Sequence, residues 1–283
     1  MGLLIWLVLA AIGLAVVAGL VRLVEPRLAF FPLPGGNETP AQYGIPYTPL
    51  TISTVDGERI HVWHLPRADA QAQVVYFHGN GGNLSLWSDV LVGLWRQRFD
   101  VIAFDYRGYG LSTGRPSEDG LYRDVDATTG LVGDRLRRPD LSLLYWGRSL
   151  GATMAAYAAA AQAPDGVVLE AGYPSARAVL ETNPVMWLLS WLSSYQFPTA
   201  RWMASVQVPT LVLHGDADSV IPYRLGQRLY EAIPGPKRFV TIAGGDHNDV
   251  EPRAGNAYWV AVAEFVRSLP TPPRVGGAEA MRW

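Results

Sequence analysis

The sequence predicts an α/β fold, in which helices cover both faces of a mostly parallel, eight-stranded sheet that follows an N-terminal transmembrane helix. Three observations lead to this class. Short apolar segments rich in β-forming residues alternate with helical segments along most of the chain. Residues 3–23 are apolar except for Arg22. One serine lies at a predicted bend from a strand into a helix, within Gly147-Arg148-Ser149-Leu150-Gly151.

Composition limits the possible functions. With 283 residues and 49% hydrophobic content, the chain can form one α/β domain with a full core. A formal net charge of -2 gives no electrostatic basis for binding nucleic acid. The absence of cysteine excludes disulfides and thiolate metal sites. We expect no metal and no other cofactor, because the histidines are scattered and the acids lie in turns.

Residues 1–25 are predicted to anchor the protein in a membrane. The apolar segment has the roughly twenty residues that cross about 30 Å of hydrocarbon. A cleaved signal peptide and a buried core helix are the alternatives, but the segment is longer than the usual apolar part of a signal peptide and no basic residue precedes it. Arg22 and Arg27 lie at the end of the span, so the positive-inside rule places the rest of the protein on the cytoplasmic side.

Residues 26–49 are rich in proline and glycine and are predicted as a linker without regular structure. Residues 50–269 are the predicted α/β domain, which begins with a hairpin around Asp56-Gly57. The predicted strands are 50–55, 59–65, 73–77, 101–104, 141–146, 167–169, 210–213 and 238–242, and the predicted helices are 84–98, 118–138, 151–163, 224–233 and 253–269. Residues 270–283 are predicted to be a flexible tail.

Ser149 is the predicted nucleophile. The segment before its turn is apolar and of strand length, and the segment after it is mostly alanine, a strong helix former. Gly147 and Gly151 lack the side chains that would collide where strand and helix nearly touch, so the turn can expose the serine hydroxyl. A chance G-x-S-x-G in an alanine-rich chain is the alternative, which the strand and helix on either side disfavour.

A serine nucleophile needs a base, and the base needs an acid that orients it. In enzymes with this turn the acid and then the histidine follow the serine. Only His214 and His247 do so here. His214 closes an apolar strand, whereas His247 lies in a polar loop after the last strand, so His247 is the predicted base. Two acids, Asp216 and Asp218, follow the seventh predicted strand. We choose Asp218 as the acid of the triad, because the glycine and alanine at the strand end let the turn bring its carboxylate toward the histidine. Asp216 is expected to cap the turn.

The third strand is followed by a glycine-rich segment, residues 78–83. Its glycines let the main chain approach a substrate closely, so the backbone N–H groups of Asn80 and Leu150 are the predicted oxyanion-hole donors. A phosphate-binding loop is the alternative, and the absence of a Gly-Lys-Ser/Thr ending disfavours it.

Five segments in a fixed order carry a resemblance to a known family. They are HGNGGN (78–83), DYRGYGLSTGRPSE (105–118), GRSLG (147–151), LHGDADSVIP (213–222) and GGDHND (244–249). From about residue 22 to residue 269, the chain resembles the membrane-anchored, abhydrolase-domain subfamily of α/β-hydrolase-fold serine hydrolases, which includes the eukaryotic protein depalmitoylases. The resemblance implies the α/β-hydrolase fold, with Ser149 as nucleophile, Asp218 as acid and His247 as base. It makes Asp105 and Arg107 parts of a structural turn. Because related members act on esters, thioesters and perhaps peptides, it does not fix the substrate.

Residues 174–208, between the sixth and seventh strands, are predicted to form a small helical cap rich in aromatic residues. A cap of this kind packs over the sheet. A further hypothesis is that its aromatic surface also lines an apolar acyl pocket and touches the bilayer, because tryptophan favours the membrane interface. Trp187 and Trp191 are the candidate substrate-binding residues.

We therefore expect a membrane-anchored serine hydrolase that forms an acyl-enzyme on Ser149 and cleaves small-molecule or lipidated esters or thioesters, with an apolar acyl chain. A serine peptidase of the prolyl-oligopeptidase kind is one alternative, disfavoured because no propeller or other gating domain accompanies the catalytic one. A non-catalytic binding module is another, disfavoured because every member of the triad has a candidate. Epoxide hydrolase and dehalogenase chemistry is disfavoured by a serine where those enzymes use aspartate.

Overall fold

Eight strands form the central sheet of the computed structural model, which describes residues 2–270. The strands are β1 (Thr48–Ser53), β2 (Arg59–Leu65), β3 (Ala72–Phe77), β4 (Phe99–Phe104), β5 (Leu143–Arg148), β6 (Gly166–Glu170), β7 (Thr210–Gly215) and β8 (Lys237–Ile242). Their order across the sheet is β8-β7-β6-β5-β3-β4-β2-β1. All neighbours are parallel except β2 against β4 and β1 against β2. The predicted mostly parallel, eight-stranded sheet is thus confirmed, and residues 271–283 of the predicted tail lie outside the described residues.

Helices lie on both faces of this sheet. They are α1 (Gly2–Ala29), α2 (Ser88–Arg96), α3 (Glu118–Leu131), α4 (Leu150–Ala161), α5 (Ala176–Leu180), α6 (Pro184–Leu189), α7 (Thr199–Met203), α8 (Tyr223–Glu231), α9 (Val250–Ala254) and α10 (Asn256–Ser268). Alternate residues of a strand face opposite sides of a sheet. Val75 and Phe77 of β3 accordingly pack in one core cluster with α3, α4 and α8, and Val74 and Tyr76 pack in a second with α2 and α10.

The central strands β3 to β7 are buried along their whole length. Burial on both faces explains why these strands are continuous apolar segments in the sequence, whereas β1, at the sheet edge, alternates between exposed and half-buried residues. Because the central strands are parallel, their carboxyl ends lie side by side at one end of the sheet. The loops that carry the predicted site residues lie at this carboxyl end.

The N-terminal segment differs from the expectation. Helix α1 continues to Ala29, past the expected end of the anchor at residue 25, with Pro26 in its last turn. By length and composition it can cross a membrane. Residues 26–49, expected to lack regular structure, include Phe31–Pro32, which pairs with Gly81–Gly82, and a 3-10 helix at Pro40–Tyr43. The pairing is favourable because both segments would otherwise leave backbone hydrogen-bonding groups without partners.

Three short helices, α5, α6 and α7, lie within the predicted cap. Ser175 caps α5 by accepting from the N–H of Ala178, and Asn183 caps α6 by accepting from two backbone N–H groups, with Pro184 in the first turn. Local capping thus explains why such short segments start helices between β6 and β7.

Candidate active site

Ser149 lies in a strained turn between β5 and α4. Its backbone has φ 56° and ψ -117°, a conformation that residues other than glycine rarely adopt. A Cβ atom on Gly147 would lie 1.9 Å from the carbonyl oxygen of Gly151, and one on Gly151 would lie 1.8 Å from that of Phe77. Only glycine fits at both positions, so the two glycines allow the close approach of strand and helix that produces this turn.

Ser149, His247 and Asp218 form one chain of contacts. The Nε2 atom of His247 is 3.1 Å from the Oγ atom of Ser149, and its Nδ1 atom is 2.9 Å from the Oδ2 atom of Asp218. The three side chains follow the carboxyl ends of β5, β7 and β8. The parallel strands thus bring together residues that are about 30 to 100 positions apart in the chain. The order and distances are those that allow a histidine to take a proton from a serine hydroxyl.

The Asp218 carboxylate is surrounded by hydrogen-bond donors. Its Oδ1 atom accepts from the backbone N–H groups of Val220 (2.9 Å) and Ile221 (2.7 Å). Its Oδ2 atom lies 3.4 Å from the Nε2 atom of His214, which is fully buried. Burial alone would raise the pKa of Asp218, but hydrogen bonding to His214 and His247 outweighs burial and holds this pKa below its usual range. The acid therefore stays ionised when His247 is protonated.

The loops that carry the acid and the histidine are joined to each other. Asp246 accepts through Oδ1 from the N–H of Ser219 and from the N–H of His247, at 2.8 and 2.7 Å. Asp216 accepts from the N–H of Gly244 at 2.6 Å, so it holds the turn, as expected from the sequence. These bonds fix the register of the two loops and with it the contact between acid and base.

The predicted oxyanion-hole loop is held by tyrosine hydroxyls. Tyr106 donates to the carbonyl oxygen of His78 at 3.0 Å, and Tyr109 donates to that of Asn80 at 2.9 Å. The Asn80 side chain donates to the carbonyl oxygen of Ala29, the last residue of α1, at 2.6 Å. Within residues 2–270, the backbone N–H groups of Asn80 and Leu150 have no hydrogen-bond acceptor. Both residues line the same cavity as Ser149, so both N–H groups are available to a substrate.

Behind this loop lies a buried pair, His78 and Asp105, with 3.6 Å between Nε2 and Oδ1. Burial raises the pKa of Asp105 to about 7, although its carboxylate accepts from the N–H of Leu84 at 2.8 Å. Burial also lowers the pKa of His78 to about 4. Asp105 and Arg107, which pairs with Asp124 at 2.9 Å, thus hold the turns behind the site and do not contact Ser149 or His247.

Sequence reasoning missed a buried arginine beneath the histidine loop. Arg148 donates to the carbonyl oxygen of His247 at 2.5 Å, and its Nε atom lies 3.3 Å from the Glu170 carboxylate. Tyr258 of α10 donates to the other Glu170 oxygen at 2.7 Å. Burial would lower the pKa of Arg148, but the charge of Glu170 outweighs burial and raises it. The linked side chains of Arg148, Glu170 and Tyr258 thus support the backbone of His247. The sequence indicated them only through an arginine inside an otherwise apolar and glycine-rich turn.

A cavity of about 970 Å³ extends from Ser149. Its volume is at the upper end of the range usual for small-molecule sites. The oxyanion-hole loop and the histidine loop lie at its polar end, where Arg148 and Asn248 also line it. Apolar residues of the cap and of the last turns of α1 line the rest. The part played by α1 was not predicted, and Glu25, the only acid in an apolar helix, was the residue that could have indicated it.

Trp187 and Trp191, the candidate substrate-binding residues, do not line this cavity. Their exposed fractions are 49% and 64%, and the guanidinium of Arg177 lies 4.2 Å from the centre of the Trp191 ring. The cap lines the cavity with other residues, among them Met186 and Tyr195. Successive residues on a helix point about 100° apart, and α6 turns Met186 toward the cavity and leaves Trp187 half exposed.

Comparisons with known proteins show which proteins this chain is similar to. Residues 68–205 match the family model described as serine aminopeptidase, S33. The chain is 31% identical over 261 residues to the uncharacterized protein Rv2307c of Mycobacterium tuberculosis, covering 90% of this chain and 93% of that protein. It is 30% identical to the uncharacterized membrane protein YNL320W of Saccharomyces cerevisiae, covering 81% of this chain and 82% of that protein.

Two further similarities concern the fold. The chain is 30% identical over 203 residues to the alpha/beta hydrolase domain-containing protein aho-3 of Caenorhabditis elegans, covering 71% of this chain and 59% of that protein. The solved structure of the Pyrococcus furiosus esterase Pf2001 superposes with a TM-score of 0.67 at 20% identity, over 84% of this chain and 99% of the esterase. These similarities confirm the predicted fold.

Proposed function

The chain belongs to the α/β-hydrolase family of serine hydrolases, and from this membership and the contacts of Ser149 we propose that it cleaves carboxylic esters or thioesters. The observation that carries the proposal is the continuous path from Ser149 through His247 to Asp218, with distances of 3.1 and 2.9 Å. The proposed substrate has an apolar acyl chain, because the cavity beyond Ser149 is lined mainly by apolar side chains.

In the first half of the reaction, the Oγ atom of Ser149 attacks the carbonyl carbon and its proton passes to the Nε2 atom of His247. Asp218 holds the Nδ1–H of the imidazole and stabilises the positive charge that forms on the ring. The oxyanion accepts from the N–H groups of Asn80 and Leu150, each worth on the order of 100-fold or more in rate. The tetrahedral intermediate then collapses, and the alcohol or thiol leaves with the proton from Nε2.

In the second half, a water molecule takes the place of the leaving group. His247 accepts its proton while the oxygen attacks the acyl-enzyme, and the same two N–H groups hold the second oxyanion. Collapse releases the carboxylic acid and returns the proton to Ser149. The buried Arg148 keeps the His247 main chain in place during both transfers, because its guanidinium is fixed by Glu170 on one side.

The protein is further proposed to be anchored in a membrane by α1, with the catalytic domain on the cytoplasmic side. The length and composition of α1 support the anchor, as does the similarity to a yeast protein described as a membrane protein. The two basic residues Arg22 and Arg27, at the end of the span, support the orientation. Modification of an engineered cysteine in residues 35–40 by an impermeant reagent added from outside would contradict the cytoplasmic placement.

Labelling by a fluorophosphonate probe tests the hydrolase function directly. The native protein should be labelled, the Ser149→Ala variant should not, and labelling should compete with acyl esters and thioesters. Ser205→Ala is the matched control, because this exposed serine donates only to a nearby carbonyl in the cap. Equal labelling of the native protein and Ser149→Ala would end the proposal.

A serine peptidase is a second candidate, favoured by the description of the matching family model. The same acyl-enzyme chemistry cleaves amides when the leaving amine is protonated by His247. Hydrolysis of aminoacyl p-nitroanilides at a rate comparable with that of p-nitrophenyl esters would favour this candidate. Cleavage of esters alone would exclude it.

A further inference from the structure

We propose that the last turns of α1 are a substrate-binding element, along which the acyl chain of a bilayer-resident ester or thioester lies when its carbonyl reaches Ser149. This inference depends on the proposed hydrolase function, and it assigns to α1 a role beyond that of an anchor. The acyl chain is expected to enter from the membrane beside α1.

Residues of α1 that line the cavity recur at intervals of four. Leu20, Val24 and Leu28 line the space that also contains Ser149. Residues four apart lie on one face of a helix, so these positions form one apolar stripe that borders the cavity, with between 42% and 67% of each side chain still exposed. Leu23, one position before Val24, does not line the cavity. One face of α1 therefore belongs to the catalytic domain, and another is free to contact lipid.

A set of hydrogen bonds to Glu25 holds this stripe in place. Glu25 is buried, and its carboxylate accepts from the backbone N–H of Ser194 at 3.0 Å, from the Ser194 hydroxyl at 2.6 Å and from the Ser193 hydroxyl. A buried carboxylate is costly unless donors surround it, so this set of bonds specifies one position of α1 against the cap. We call these bonds the Glu25 contact.

The residues that follow the helix strengthen the attachment. The ring of Phe30 packs edge-to-face on Tyr195 of the cap, with 5.3 Å between ring centres. The carbonyl oxygen of Ala29 accepts from the side chain of Asn80, in the oxyanion-hole loop. Helix α1 is thus joined to the cap on one side and to the loop beside the reacting carbonyl on the other.

The stripe lies at the end of the predicted membrane span. At about 1.5 Å per residue, a span that starts near residue 3 reaches about 30 Å near residue 23. The stripe therefore begins where hydrocarbon meets the headgroups. The exposed Trp187 and Trp191 lie on the cap beside the cavity-lining Met186, and tryptophan favours this interface. A chain that is already dissolved in the bilayer can then reach the cavity without crossing water.

The test compares neighbouring substitutions on α1 in the full-length protein in phosphatidylcholine vesicles. Val24→Trp fills part of the cavity, and Leu23→Trp is the matched control on the outer face. We expect Val24→Trp to lower kcat/KM for p-nitrophenyl palmitate at least tenfold. Each methylene group of the acyl chain that loses its apolar contact should lower kcat/KM about fourfold. Hydrolysis of p-nitrophenyl butyrate should change less than twofold. Leu23→Trp should leave both esters within twofold of the native values.

Equal losses on both esters, or the same loss from Leu23→Trp, would overturn the inference. If Val24→Trp does not fold, Glu25→Gln gives a second test, since it weakens the Glu25 contact at nearly constant size. We expect it to raise KM severalfold more for the palmitate ester than for the butyrate ester; equal changes in the two KM values, including no change in either, would also overturn the inference. Absence of fluorophosphonate labelling in the native protein would instead refute the proposed function itself.

Discussion

Replacement of Asp218 by asparagine should abolish nearly all activity while preserving the shape of the site. The Oδ1 atom accepts from two backbone N–H groups, at 2.9 and 2.7 Å. In Asp218→Asn the amide oxygen is expected to take this position, because an NH₂ group there would face two backbone donors, whereas at the Oδ2 position it would face only the more distant Nε2 atom of His214, at 3.4 Å. The NH₂ group then replaces Oδ2 and donates to the Nδ1 atom of His247.

The replacement of an acceptor by a donor opposite Nδ1 changes the tautomer of His247. With Nδ1 as acceptor, the single ring proton resides on Nε2 and faces Ser149, so the ring cannot take the serine proton. An Asp→Asn change of this kind lowers kcat by about 10⁴ in a serine protease triad. We expect a loss of the same order here, about 5.5 kcal/mol in activation free energy at 1.36 kcal/mol per tenfold change.

The assay is kcat for p-nitrophenyl butyrate, together with the rate of fluorophosphonate labelling and a thermal melt. Asp216→Asn is the matched control, two positions earlier in the same turn. Its Oδ1 atom accepts from the N–H of Gly244, a bond that an amide oxygen can also form, so activity should stay within about threefold. A loss of less than tenfold in Asp218→Asn, or equal losses in the two variants, would refute this reasoning.

Three further predictions concern the structure around the site. Glu170→Gln leaves the buried Arg148 without its counter-charge and should lower the free energy of unfolding by about 3–5 kcal/mol, measured by urea denaturation; unchanged stability would contradict this. Gly151→Ala places a methyl group 1.8 Å from a carbonyl oxygen of β3, so fluorophosphonate labelling should be lost. Burial raises the pKa of Asp105 to about 7, so its contribution to stability falls as pH rises from about 4 to 7. The native protein should therefore lose about 4 kcal/mol of unfolding free energy between pH 4 and pH 7 that the Asp105→Asn variant does not lose. If the difference in unfolding free energy between the two proteins does not change with pH, the raised pKa of Asp105 is contradicted.

The sheet could be predicted because its strands are buried on both faces. Burial makes β3 to β7 continuous apolar segments, each short enough to exclude a long helix. Helix boundaries were less accurate. The helix expected at 253–269 is divided at Gly255, whose φ of 54° ends α9 before α10 begins. A glycine inside an apolar periodic segment gives no sign of which φ it adopts.

The convergence of Ser149, Asp218 and His247 could also be predicted, since few histidines and acids follow the serine in a suitable loop. The contacts around them could not. Arg148 meets the carbonyl oxygen of His247 across 99 positions, and Glu25 meets the cap across 168. Neither contact leaves a periodic pattern, because periodicity reports the face of one element and not its distant partner. The same limit explains why Trp187 was expected in the cavity and lies outside it.

The distance along the chain between Glu25 and its partners determines when α1 can dock. Glu25 leaves the ribosome 168 residues before Ser193, so the donors to its carboxylate do not yet exist when the helix is synthesised. Until the cap has been made, the carboxylate has only water as a partner. Closing so long a loop becomes favourable only after the intervening sheet has brought its ends together. Helix α1, which is synthesised before the cap, is therefore expected to reach its native position only after the cap has formed.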